Sequence, residues 1–83
     1  MVKTHEINLG TSVFNGLSNN TSIILEQNED KPIEKEDYIL FKQIEKDGEE
    51  IQETGLYMLV QVNDVISHQG LKDGFILIGY RRM

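Results

Sequence analysis

Few side chains in this sequence have the type and spacing that chemistry demands. The two histidines, His5 and His68, stand 63 positions apart with no accompanying ligand pattern. A metal site needs at least one further ligand converging on them in space. There is no cysteine, which excludes a disulfide framework and a thiolate zinc site. No His-Glu-x-x-His, phosphate-loop or Gly-x-Ser-x-Gly pattern occurs. Glu49 and Glu50 are adjacent carboxylates of the kind that acid/base catalysis uses, but the exposed surface of a hairpin has the same composition. No catalytic residue, metal or cofactor is therefore expected. Cations are also sparse. Lys31 lies between Asp30 and Pro32, and Arg81-Arg82 close the chain as a phosphate contact or a solubilising end. Tyr38, Tyr57 and Tyr80 fall within apolar runs, where aromatic rings pack more often than they stack on bases.

The elements that must position these groups fit one small domain, residues 1–83. Hydrophobic content is 39%, enough for a folded core. A chain this short buries only about 60–65% of its unfolded surface, so its stability is modest. No apolar run approaches the roughly 20 residues that cross a bilayer. The opening alternates polar and apolar residues rather than forming a secretory signal, so a cytoplasmic protein is expected. The formal charge is −6 and it is unevenly placed. Residues 26–53 hold eleven of the fourteen carboxylates against four lysines, whereas residues 1–25 are neutral and residues 54–83 carry +1. Phosphate backbones are drawn to clustered Lys and Arg, so an acidic chain is a poor general nucleic-acid binder unless folding gathers Lys3, Lys72, Arg81 and Arg82 on one face.

Period-two alternation over Thr4–Leu9 predicts a half-buried strand, with Ile7 and Leu9 on one face and Glu6 and Asn8 on the other. Gly10 breaks it, and Thr11 or Ser12 offers a cap for a short helix over 11–18 whose apolar residues are Val13, Phe14 and Leu17. Ile23-Ile24-Leu25 is a second strand and Tyr38–Ile44 a third. Lys46-Asp47-Gly48-Glu49 is a hairpin signal, returning along an exposed edge at 50–53. Leu56–Val62, extended by Val65-Ile66, predicts a central strand. Residues 67–74 form a loop, and Phe75–Tyr80 the last strand. The expected fold is mainly β, with about five strands and one or two short helices. Both sheet edges would be buried by closing a small mixed barrel, plugged at one end by the 11–18 helix.

That order of elements resembles the ASCH (activating signal cointegrator homology) domains of the PUA-like superfamily. More narrowly, it is similar to a small bacterial branch that opens with a Thr-His-Glu-Leu-like strand. The likeness rests on Thr4-His5-Glu6-Ile7, on Phe14-Asn-Gly-Leu17 at the helix, and on Glu36-Asp37-Tyr38-Ile39-Leu40-Phe41. It is completed by Thr54-Gly55 and by Gly70–Leu77. The resemblance implies a β-barrel with a helix beside a cleft, and recognition of RNA or of a modified nucleoside. Some relatives hydrolyse nucleosides, which implies an amidohydrolase as a further alternative.

The family's cleft carries Gly-x-Lys, then Glu-x-Arg, then Asp and a basic residue before Gly-Asp. With Asp37 aligned to the family's Asp, Ser22 falls at the Lys, Leu25 at the Glu and Gln27 at the Arg. A one-residue shift puts Ile23, Glu26 and Asn28 there. Both cations are absent in either register, and Glu36 replaces the glycine, while Asp30 and Lys31 match. The expected ligand-lining residues beside the 11–18 helix are Lys3, His5, Ser22, Gln27, Asn28 and Lys31, where Gln27 and Asn28 could read a base edge as neutral amides. The expected function is RNA binding or binding of a nucleotide-like ligand. The alternative from another class is a protein-interaction module with a decayed cleft, whose acidic surface attracts a basic protein partner.

Overall fold

A computed structural model describes residues 1–67 and 70–83. The elements are β1 (Thr4–Gly10), α1 (Thr11–Gly16) with a 3₁₀ turn over Leu17–Asn19, β2 (Ser22–Glu26), β3 (Tyr38–Asp47), β4 (Glu50–Ile66) and β5 (Phe75–Arg82). The chain is thus mainly β, as its alternating patterns indicate. Its five strands form one mixed sheet in the order β1-β3-β4-β5-β2. β1 runs parallel to β3, and every other ladder is antiparallel.

The core follows from period-two alternation. Ile39 and Phe41 of β3, Val60 and Val62 of β4, and Ile76, Ile78 and Tyr80 of β5 point to one face and are buried there. Each such aliphatic or aromatic side chain contributes about 1.5–3 kcal/mol when fully buried. Phe14, Leu17, Leu25 and Ile33 complete the cluster. Phe14 and Leu17 bring the short helix onto the end of the sheet, where the Tyr80 hydroxyl donates to the Leu17 carbonyl at 2.8 Å. Val13, also expected on that apolar face, is exposed. The helix begins at Gly10 with no side-chain cap, so neither Thr11 nor Ser12 fills the predicted role.

Two expectations shift at the hairpin. Asp47 pairs with Glu50, so the turn is Gly48-Glu49, one residue later than an Asp-Gly centre. Gly48 alone has positive φ, at 65°, as in a turn whose first central residue is glycine. The returning arm and the Leu56–Val62 run are one strand, not two, because Thr54-Gly55 makes a bulge within it. There Gly55 takes φ 87°. Opposite it, the Gln43 amide oxygen accepts from the Thr54 hydroxyl at 2.7 Å, and the Gln43 amide nitrogen donates to Asn15 at 3.3 Å.

The sheet does not close into a barrel. Among the described residues, no backbone hydrogen bond joins β1 to β2, the two edges. The connection 27–37 brings buried Ile33 to the lining of a hollow between β1 and the end of β2 and lays Lys31 against the edge of β1. The Lys31 ammonium donates to the Thr4 carbonyl at 2.8 Å, covering with a side chain what a neighbouring strand would otherwise pair. Lysine on an exposed edge is a common guard against unwanted pairing. Among the described residues no helix is long and apolar enough to cross a membrane.

Candidate functional site

The strongest polar construction lies where β1 begins and β3 begins, side by side. Asp37 closes a turn in which its own amide donates to the Glu34 carbonyl at 3.1 Å, with Glu36 held at φ 78°. Its carboxylate is 2% exposed and collects three donors. The Lys3 amide reaches Oδ1 at 3.0 Å, while the Glu34 amide and the His5 ring nitrogen Nε2 each reach Oδ2 at 2.9 Å. Burial opposes ionisation of this carboxyl, but the hydrogen bonds from His5, Lys3 and Glu34 outweigh it and hold the group below its usual range.

An ionised carboxylate only accepts, so His5 Nε2 carries a proton and donates it. The other ring nitrogen, Nδ1, has no hydrogen-bond partner among the described residues and is not sealed from solvent. The ring borders a hollow of about 310 Å³ between β1 and the end of β2, lined by His5, Glu6, Ile7, Glu26, Asn28, Lys31 and Ile33. This is the low end of small-ligand cavity sizes. Ile7 and Ile33 give it apolar surface, while Glu6 and Glu26 are acidic groups on the two facing strands. Glu6 pairs with Lys42 at 2.9 Å, and Lys42 also reaches Glu53 at 3.5 Å.

Of the six residues expected to line one cleft, three share this hollow: His5, Asn28 and Lys31. Lys3 sits beside it, with its ammonium donating to the Pro32 carbonyl at 2.7 Å and lying 3.9–4.0 Å from Glu34 and Asp37. Ser22 and Gln27 are elsewhere. Ser22 lines a separate depression with Asn63, Asp64 and Gly79. Gln27 lines another with Glu29 and Phe75, where its side-chain oxygen is buried with no partner among the described residues. Helix 11–16 contributes no lining residue to the hollow. Position along the chain explains the separation: Ser22 opens β2 at the end away from Glu26, and Gln27 lies just beyond that strand, where its amide donates to the Gly74 carbonyl of the loop before β5.

Asp37, Glu6 and Glu26 are the polar residues of this region that sequence reasoning did not single out as site residues. A signal for Asp37 was present. His5 falls on the same alternation as Ile7 and Leu9, so it faces inward, and a buried imidazole needs a partner. His68, the other histidine, lies outside the described residues. Among the described residues no group of three or more His, Asp and Glu side chains could hold a metal ion. Tyr80 packs edge-on against Phe41 with ring centroids 6.3 Å apart, whereas Tyr57 is exposed. No family model matches the chain, and no curated protein matches its sequence.

Proposed function

We propose that this chain is a binding module that holds a basic segment of another protein in the hollow between β1 and β2. The charge of that hollow carries the reading. Glu6 and Glu26 face it from two different strands, and the one lysine in its lining already donates to the Thr4 carbonyl. Lys3 is likewise engaged by Pro32, Glu34 and Asp37. Glu6 is paired with Lys42, so Glu26 is the acidic group of the lining without an ion pair among the described residues, and together with a chain charge of −6 it favours a cationic segment over a polyanion.

A second reading is favoured by the amide and imidazole in the same lining. Asn28 and the unpartnered Nδ1 of His5 are suited to the edge of an unpaired RNA base or of a modified nucleoside. The mixed five-stranded sheet with a helix at one end is compatible with the resemblance to ASCH domains, in which this second reading has its origin.

Titration of isotopically labelled protein separates the two. A lysine-rich peptide should shift the amides of residues 5–7 and 26–31, with affinity falling as salt rises. Shifts from short RNAs or nucleosides, with none from the peptide, would replace the first reading by the second. Silence toward all three probes would remove both.

A further inference from the structure

A second hollow, of about 280 Å³, opens where the turn 34–37 meets the β4–β5 ladder. Its lining is Lys35, Glu36, Gln61, Val62, Asn63 and Arg81, none of which borders the hollow beside His5. The Glu36 amide donates to the Val62 carbonyl and the Val62 amide to the Asp37 carbonyl, both at 2.8 Å, which ties the turn to β4. Gln61 and Arg81 are register partners across the ladder. The Gln61 amide oxygen accepts from Arg81 Nε at 3.2 Å and Nη2 at 2.6 Å. Its amide nitrogen donates to the Glu36 carbonyl at 3.3 Å. One neutral amide thus joins the guanidinium to the turn.

Three charges border this hollow without a counter-ion. Arg81 is oriented by an amide rather than a carboxylate, so its positive charge is not neutralised and its remaining N–H donors have no acceptor among the described residues. Lys35 and Glu36 are exposed, and neither they nor Arg81 enter an ion pair among the described residues. Glu36 is also the one non-glycine residue at positive φ among the described residues. A residue with a Cβ is disfavoured there, and glycine would take the turn more easily. Strain of this kind concentrates at binding sites.

We propose that this hollow holds a small zwitterion, with its carboxylate at Arg81 and Lys35 and its ammonium at Glu36, as in the head group of an amino acid. The planar fork of the guanidinium suits a carboxylate. A plain anion would gain Arg81 and Lys35 but meet Glu36, and a plain cation would meet the reverse. Only a ligand with both charges satisfies all three groups. A volume just under the usual small-molecule range admits a head group of this size. The site is separate from the hollow assigned above to a basic segment, and neither reading rests on the other.

The test titrates the isotopically labelled full chain with four probes: free alanine, N-acetylalanine, alaninamide and inorganic phosphate. Alanine should shift the amides of residues 35–36, 61–63 and 81 saturably and leave those of residues 5–7 and 26–31 in place. N-acetylalanine keeps only the carboxylate and alaninamide only the ammonium, so each should bind about fivefold more weakly, as should phosphate. Arg81→Gln should weaken alanine by about fivefold. Glu36→Gly, which fits the φ of the turn, should weaken it equally without lowering the denaturation midpoint. Phosphate or N-acetylalanine binding as tightly as alanine overturns the zwitterion, and so does unchanged affinity in Glu36→Gly. No saturable shift with any of the four overturns the site itself.

Discussion

The His5 ring nitrogen Nε2 lies 2.9 Å from the Asp37 carboxylate, with both side chains buried, so the start of the first strand is tied to the head of the third across 32 positions of sequence. The parallel pairing of β1 with β3 has no hairpin to enforce it. This bond, the Lys3 amide on Oδ1 and the Tyr38 amide on the Lys3 carbonyl fix its register.

Removing one partner should therefore cost more than a surface substitution. Asp37→Ala leaves His5 and the Lys3 and Glu34 amides without their acceptor, and a loss of about 3–5 kcal/mol is expected. His5→Ala should cost about 1–3 kcal/mol. Chemical denaturation of the two single variants and the double variant should reveal a coupling of about 1–3 kcal/mol. Strict additivity would show that the bond does no work.

Acid should weaken the fold through the same carboxyl. Burial pushes its ionisation up, but the bonds from His5, Lys3 and Glu34 prevail and hold it below the ordinary 3.8. A carboxyl lowered on folding contributes stability that is complete above its unfolded value and disappears as pH falls through the lower folded value. Denaturation midpoints measured from about pH 6 down to about pH 2 should fall steeply below about pH 4. Asp37→Asn should flatten that limb.

Tyr80→Phe keeps the ring against Phe41 but removes the hydroxyl that donates to Leu17. A loss of about 1 kcal/mol is expected, with faster hydrogen exchange confined to residues 17–20. Unchanged stability would mean that solvent satisfies the Leu17 carbonyl equally well.

Gly55→Ala tests the bulge in β4. A Cβ there meets no atom within 4 Å, but φ is 87°. The cost, about 1–2 kcal/mol by thermal melting, should be backbone strain alone. Gly10→Ala, also unobstructed and without positive φ, should cost less.

Glu26→Lys should weaken the lysine peptide and reduce the salt dependence of binding without lowering stability, because Glu26 is exposed and has no ion-pair partner among the described residues. Calorimetric titration at two salt concentrations reads both effects. Unaltered affinity would place the contact away from this strand edge.

Much of the architecture was legible because local rules suffice for it. Alternation in Thr4–Leu9 and Phe75–Tyr80, the β-branched run at Ile23-Ile24 and the Gly48 turn each act within a few residues. Thr54-Gly55 misled for a local reason too. A glycine at positive φ serves a turn or a bulge equally, and only its position opposite Gln43 decides between them. The placement of Ser22 and Gln27 could not be read. Ser22 stands at the far end of β2 from Glu26 and Gln27 lies beyond that strand, and a family cleft carried over by counting does not resolve such placement.

What the sequence by itself determined is the set of strands, the inward face of each and an acidic middle stretch, since these follow from residue type and spacing two. Tertiary structure alone decided that Asp37 meets His5, that Glu6 and Glu26 border one hollow and that β1 and β2 remain apart. Asp37 and His5 stand 32 positions apart and Glu6 and Glu26 stand 20 apart, beyond the reach of local patterning. These relationships depend on the path of the connection 27–37, which brings Ile33 and Lys31 to the lining of the hollow beside β1.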